Sequence, residues 1–285
     1  MPADERFAVI GHPIAHSLSP RIHALFATQT GRRLRYSAID VPPDALAIQV
    51  QRFFDEGGRG LNVTVPHKQA VMALLADCSA AARRAGAANT LWRDAAGALL
   101  GDNTDGIGLV RDLRDNLGVA IHARRVLLLG AGGAARGILA PLLAQGPAEL
   151  LIANRDGARA AALVAGLDGP VRACALAELV DSAPGAGTGT GTYDLILNAT
   201  AASLTTTLPS LSPSLIGAHS TCYDLAYAQQ DTAFVTWARR AGAAAAYDGL
   251  GMLVEQAAES FWLWHGIRPQ TAPVLAQLRP RIAAR

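Results

Sequence analysis

Along the 285-residue chain, short apolar runs alternate with longer segments whose apolar residues recur at helical spacing. Phe7 to Ile10, closed by Gly11 and Pro13, reads as a strand. The segment 17–31 reads as a helix with a proline near its start and a glycine at its end. Residues 35–41 and 60–66 predict further strands, and 44–57 between them a helix. Residues 67–86 predict one long helix that breaks at Gly86. The stretch 87–106 is dense in turn formers, and 105–118 resumes helical spacing as a connector. Beyond it the chain reads strand, helix, strand over 124–156, then a strand at 193–200 and another at 221–227. Helices are predicted over 232–242 and 251–266. Strands alternating with helices predict an α/β protein built on parallel or mixed sheets.

The change of pattern near Gly106 divides the chain into two predicted domains, 1–106 and 107–246, with 247–285 completing the first. That division suits a chain longer than most single cores. Residues 181–193 are small and glycine-rich and read as a surface loop. No internal repeat is visible.

Composition narrows the classes of function. Hydrophobic residues make up 51% and charged residues 17%, yet no apolar run approaches the roughly 18 residues of a membrane span. Acidic and basic residues at the start, Asp4, Glu5 and Arg6, do not resemble an export signal. Net charge is +2, with the basic residues scattered, which argues against nucleic acid as a partner. Cys78, Cys174 and Cys222 lack metal-ligand spacing and read as thiols of a reducing compartment, so a cytoplasmic protein without a metal site is expected.

The most specific local motif lies in 126–137. Gly130, Gly132 and Ala135 fit G-x-G-x-x-G/A directly after an apolar strand and at the start of a helix, with Ala131, Gly133 and Ala134 completing the turn. The first glycine permits the tight turn, the second lets a pyrophosphate approach the backbone, and the third position allows the helix to pack on the strand. The next strand ends at Asn154, where NAD-binding chains usually carry an acid for the ribose 2′-hydroxyl. Here Asn154 is followed by Arg155 and Arg159. Guanidinium groups suit a 2′-phosphate, so the spacing predicts NADP; the competing reading is a solvated arginine face. Asp156 either repels such a phosphate or binds a ribose diol.

Polar side chains cluster where strands end. Asn62, Thr64 and Lys68 close one strand, and Asn89 and Asp105 lie in turns. Lysine and aspartate so placed are either chemistry-bearing or a solvated charge and a helix cap.

The segments GHPIAHSLSP, NVTVPHK, AANT, GDNTDG, GAGGAARG, NRDGAR, NAT and DGLGMLVEQA, in this order and spacing, resemble those of shikimate dehydrogenases over nearly the whole chain. The resemblance implies an N-terminal α/β substrate domain, a Rossmann NADP domain, a C-terminal helix returning to the first domain, and an active site in the cleft between them. It implies reversible NADP-dependent reduction of 3-dehydroshikimate to shikimate in aromatic amino acid biosynthesis, by a monomer or homodimer. Carried over by position, Ser17 and Ser19 hold the substrate carboxylate. Asn62, Thr64, Asn89, Asp105, Tyr227 and Gln256 bind ring hydroxyls or close the site. Lys68 donates the proton, with Asp105 beside it; a free lysine titrates at about 10.4 and so starts as a donor at neutral pH.

The same resemblance places Asn198, Thr200 and Gly249 near the nicotinamide. Gly249 reads equally as a turn glycine, and Tyr227 as a core aromatic. After Thr200 the family's serine and glycine are replaced by Ala201 and Ala202. On the last helix Leu253, Ala257, Phe261 and Trp264 predict an apolar face, with Gln256 turned to the pocket. Two other readings compete: a quinate/shikimate dehydrogenase using NAD, against which the two serines at 17 and 19 speak, and a non-catalytic nucleotide-binding homologue, against which Lys68 and Asp105 speak.

Overall fold

A computed structural model describes residues 4–180, 191–200 and 211–279. The chain forms two compact units, Met1–Leu109 with Leu253–Leu278, and Val110–Met252 with Arg279.

The first unit holds a six-stranded mixed sheet in the order β2-β1-β3-β5-β6-β4. Its strands are β1 (Glu5–Gly11), β2 (Leu34–Asp40), β3 (Gly58–Val63), β4 (Asp77–Cys78), β5 (Thr90–Arg93) and β6 (Leu99–Asp102). Helices α1 (Ser19–Thr30), α2 (Leu46–Asp55), α3 (Ala80–Ala85), α4 (Asp105–Arg111), α9 (Leu250–His265) and α10 (Ala272–Leu278) surround it, with α9 entering this unit at Leu253. Apolar side chains of β1, β3 and α2, among them Ile10, Leu61, Val63, Val50 and Phe54, make the core on one face. Phe26 and Phe261 stack edge to face in a second apolar layer.

Two expectations fail here. The long helix over 67–86 is instead a 3-10 turn at Ala70–Leu74, strand β4 and the short helix α3. Ser79 is the physical reason: extended at ψ 160, its side chain accepts from Ala82 N and starts a new helix there. Asp77 and Cys78 pair with Leu100 and Gly101. The turn-rich stretch 87–106 contains the hairpin β5–β6, whose turn is tied by Asp94 Oδ1 accepting from the main-chain N of Ala96 and Ala98, both at 2.9 Å.

The second unit is a fully parallel sheet, β12-β11-β10-β7-β8-β9. Its strands are β7 (Arg125–Leu129), β8 (Glu149–Asn154), β9 (Val171–Ala175), β10 (Tyr193–Asn198), β11 (Ile216–Asp224) and β12 (Ala245–Tyr247). Helices α5 (Gly133–Leu143), α6 (Gly157–Val164), α7 (Leu176–Val180) and α8 (Ala233–Arg240) connect them. Counted within the unit, the order is 3-2-1-4-5-6, the doubly wound arrangement that binds dinucleotides where the order reverses. Val126 to Leu129 are all buried, as a central parallel strand covered on both faces requires. The glycine-rich segment 181–190 lies outside the described residues.

Candidate active site

Strand register builds the first cluster. β3 and β5 run antiparallel with Asn62 opposite Thr90, and β5 and β6 antiparallel with Thr90 opposite Asp102. One end of the sheet therefore gathers the end of β3, the start of β5 and the end of β6. Lys68 follows β3, Asn89 precedes β5, and Thr104 and Asp105 follow β6. Residues distant in sequence converge because the hairpin folds them back.

Lys68 Nζ donates to Asp105 Oδ2 at 2.6 Å, with the lysine side chain 18% and the aspartate side chain 5% exposed. Asn89 Nδ2 donates to Asp105 Oδ1 at 2.8 Å, so both carboxylate oxygens have a donor. Asp105 N donates to Asn103 Oδ1 at 3.1 Å, which starts helix α4 and fixes the aspartate at its first position. Asn89 Oδ1 accepts from Thr104 N at 2.9 Å. Helix α9 supplies Gln256, whose Oε1 lies 3.2 Å from Asn89 Nδ2 and whose Nε2 donates to Leu253 O at 2.9 Å. Gly108 permits that approach: a Cβ there would stand 2.7 Å from Gln256 Cβ.

The cluster extends across β3 to β2. Asn62 Nδ2 faces Asn89 O at 3.0 Å, and Asn62 Oδ1 accepts from Tyr36 OH at 2.7 Å. Tyr36 has its phenol pushed well above the usual range by burial, with Ser19 alongside partly offsetting this. Ser19 opens α1 and is buried, and its N donates to Ser17 Oγ at 3.3 Å. A continuous line of contacts thus runs from the serine pair through Tyr36, Asn62 and Asn89 to Asp105 and Lys68. Thr64, partly exposed, follows β3 two positions after Asn62. Tyr36, Thr90, Thr104 and Ser260 belong to this network and were missed as sequence. Ser260 carried a signal, since it lies one helical turn after Gln256 and shares its face. The apolar face expected for α9 is too narrow: Glu255, Gln256, Glu259 and Ser260 are buried as well, so the helix is enclosed on nearly all sides.

The second cluster sits at the strand ends of the second unit. Gly130 follows β7 at φ +104, a conformation favouring glycine, and a Cβ there would lie 2.9 Å from Ala199 O. Ala199 follows β10, the neighbour of β7, so the motif lies where the strand order reverses. Gly132 precedes α5 without a side-chain cap, and a Cβ there would meet nothing within 4 Å. The start of α5 therefore offers uncapped main-chain N–H groups beside open space, which fits a pyrophosphate. Past β8, Arg155 and Arg159 are exposed and form no ion pair among the described residues. Asp156 caps α6: its Oδ1 accepts from Ala158 N at 3.0 Å and Arg159 N at 3.4 Å. Asn154 Nδ2 donates to Asp156 O at 2.9 Å. Exposed guanidinium groups that form no ion pair among the described residues fit a cofactor with a 2′-phosphate.

Asn198, at the end of β10, is buried; its Nδ2 donates to Asp224 Oδ1 at 3.2 Å and its Oδ1 accepts from Thr200 Oγ1 at 2.7 Å. Gly249 N donates to Ala226 O at 2.9 Å. Tyr227 is half-buried in the loop after β11 and so belongs to the second unit, apart in sequence and in unit from the serines and Lys68. Ala201 and Ala202 lie outside the described residues.

A dinucleotide-binding sheet joined in one chain to a unit with a partly buried lysine paired to a buried aspartate is the build of a dinucleotide-dependent dehydrogenase. Residues 9–91 match the shikimate dehydrogenase substrate binding domain, 113–207 the shikimate / quinate 5-dehydrogenase family and 249–279 the shikimate 5'-dehydrogenase C-terminal domain. The chain is 54% identical over 280 residues to shikimate dehydrogenase (NADP(+)) of Methylococcus capsulatus, covering 98% of this chain and 97% of that protein. Among solved structures, an Ael1 enzyme from Pseudomonas putida is 45% identical with a TM-score of 0.88, covering 96% of this chain and 98% of that one. Shikimate 5-dehydrogenase from Thermus thermophilus, solved in complex with NADP(H) and shikimate, is 33% identical with a TM-score of 0.83, over 97% and 99% of the two chains. The chain belongs to the shikimate dehydrogenase family.

Proposed function

We propose that this chain catalyses the reversible NADP-dependent reduction of 3-dehydroshikimate to shikimate. The observation that carries the reading is the Lys68–Asp105 pair, a donor held at 2.6 Å by a carboxylate whose other oxygen is also bonded. A bound NADPH supplies hydride from C4 of its nicotinamide. Lys68 Nζ gives a proton to the carbonyl oxygen as the carbon beneath it receives the hydride, and in the reverse direction it takes the hydroxyl proton back. Positioned proton transfer of this kind contributes roughly 10²–10⁴-fold in rate. Asp105 keeps the ammonium in place and accepts from a neighbouring ring hydroxyl.

Hydrogen-bond accounting supports a substrate rich in hydroxyl groups. Asn62 keeps one lone pair on Oδ1 after accepting from Tyr36, and Gln256 keeps one N–H after donating to Leu253 O. Thr64, Ser17 and Ser19 add hydroxyls, the two serines suited to a carboxylate. Tyr227 and Gln256 complete the set of substrate contacts in this reading. Gly130 to Ala134 receive the pyrophosphate, Arg155 and Arg159 the 2′-phosphate with Asn154 beside them, and Asn198, Thr200 and Gly249 the nicotinamide side. On this reading the Met1–Leu109 unit with Leu253–Leu278 serves substrate and proton transfer, and the Val110–Met252 unit serves the cofactor.

Relatives named for shikimate and NADP(+) and the serine pair favour shikimate over quinate. Every assigned group comes from one chain, so the reading needs no second copy, whether monomer or homodimer. Among the described residues no helix is long and apolar enough to cross a membrane. Cys174 and Cys222 are buried free thiols, which suits a cytoplasmic setting. The test is absorbance at 340 nm on mixing the chain with shikimate and NADP⁺. A rise supports the reading, and no rise at any substrate concentration overturns it.

A further inference from the structure

We infer that Thr90 and Ser260 are positioning residues for substrate recognition, setting which atom of Asn62 faces the substrate; the inference rests on the functional reading above. Both residues are fully buried, so neither hydroxyl can touch a ligand. A strand and a helix interior would accept valine and alanine at these places, and a buried hydroxyl is costly unless it is bonded. Each hydroxyl faces the same carboxamide: Asn62 Nδ2 lies 3.2 Å from Thr90 Oγ1 and 3.0 Å from Ser260 Oγ.

A carboxamide has nearly the same shape when its oxygen and nitrogen are exchanged, so its partners decide its orientation. Tyr36 OH does not decide it, because a phenol can both donate and accept. The two hydroxyls do. They lie 2.7 Å apart, so one donates to the other. If Thr90 donates to Ser260, the serine's proton goes to Gln256 O at 3.1 Å, nearer than Thr104 Oγ1 at 3.4 Å. If Ser260 donates to Thr90, the threonine's proton goes to Asn89 Oδ1 at 3.0 Å. Gln256 O is a carbonyl, and Asn89 Oδ1 belongs to an amide whose nitrogen is already directed at Asp105. Either relay ends on an atom that only accepts. In both arrangements the hydroxyl oxygens turned to Asn62 can only receive a proton, and Asn89 O is an acceptor too. Asn62 Nδ2 therefore points inward, and Asn62 offers the substrate an acceptor.

The consequence is selective. Removing a hydroxyl takes away one of the three acceptors that hold Asn62 Nδ2 inward and loosens the orientation in which Asn62 meets a ring hydroxyl, while Lys68, Asp105 and the cofactor residues keep their own partners. Steady-state kinetics with shikimate and NADP⁺ test this on Thr90→Val, which keeps the shape and removes the hydroxyl, Thr90→Ser, which restores it, and Ser260→Ala. The expected result for Thr90→Val is a KM for shikimate raised about tenfold. Its kcat stays within about threefold and its KM for NADP⁺ is unchanged, while Thr90→Ser stays within about twofold of the wild type in every constant. Ser260→Ala should show the same selective rise, and it decides the matter if Thr90→Val does not fold. An unchanged KM for shikimate in folded Thr90→Val or Ser260→Ala overturns the inference. So does a Thr90→Ser enzyme as impaired as Thr90→Val, since that assigns the effect to packing. A wild-type chain inert on shikimate overturns the functional reading and this inference with it.

Discussion

Acid should unfold this protein through His23. The residue lies on α1 with its ring stacked on Tyr36 at a centroid distance of 4.1 Å and an interplanar angle of 7°, and Phe26, Phe261 and Trp264 surround it. Neither ring nitrogen has a hydrogen-bond partner among the described residues. Burial, aided by the neighbouring His265 and only partly offset by Asn62, lowers its pKa from 6.5 to about 3. The unfolded chain takes up a proton below 6.5 that the fold refuses until about 3, so the residue's contribution is intact above 6.5 and lost as pH falls toward 3. At about 1.4 kcal/mol per unit, the whole window is worth roughly 5 kcal/mol, and the part between pH 7 and 5 roughly 2 kcal/mol. Urea unfolding of the wild type and of His23→Phe at pH 7 and pH 5 isolates the term, because phenylalanine keeps the stack and cannot titrate. The wild type should lose about 2 kcal/mol more than the variant between the two conditions. Equal losses would refute the assignment.

Cofactor choice and the turn before α9 give two more expectations. Replacing Arg155 and Arg159 together by alanine should raise the KM for NADP⁺ by roughly 10–100-fold, the size of a lost charged hydrogen bond. The KM for NAD⁺ should hardly change, and steady-state assays with each cofactor check this; equal effects on both would mean the guanidinium groups do not read the 2′-phosphate. Gly249→Ala would put a Cβ 2.1 Å from Leu225 O, a main-chain atom that cannot swing aside. Thermal unfolding should show a loss of about 1–3 kcal/mol, and an unchanged Tm would mean the loop yields freely.

Much of this was legible before any coordinates, and what was not has identifiable causes. The dinucleotide turn could be read because an apolar strand, three small residues and a helix are all local, and Gly130 at φ +104 needs what glycine provides. The pairing of Lys68 with Asp105 came only from family resemblance; no local rule joins a residue after β3 to one after β6. Strand register does, once Thr90 is seen opposite both Asn62 and Asp102. Helical periodicity misled over 67–86, where alanine-rich spacing suggested continuity and Ser79 interrupts it by binding Ala82 N. Asp156 stood between two ligand roles in the sequence, and the geometry gives it a third, as the cap of α6. Tyr36 and Ser260 went unassigned because a hydroxyl buried among aromatic or apolar neighbours looks like packing until its partner is known.

The account turns on the ammonium beside Asp105 as the proton donor to the carbonyl oxygen. Steady-state turnover of 3-dehydroshikimate and NADPH by Lys68→Ala measures that role most directly. Loss of a positioned proton donor predicts kcat reduced about a hundredfold or more with the KM for the ketone within about threefold of the wild type. A variant whose kcat stays within about threefold of the wild type would contradict the account, because the reaction would then draw its proton from elsewhere.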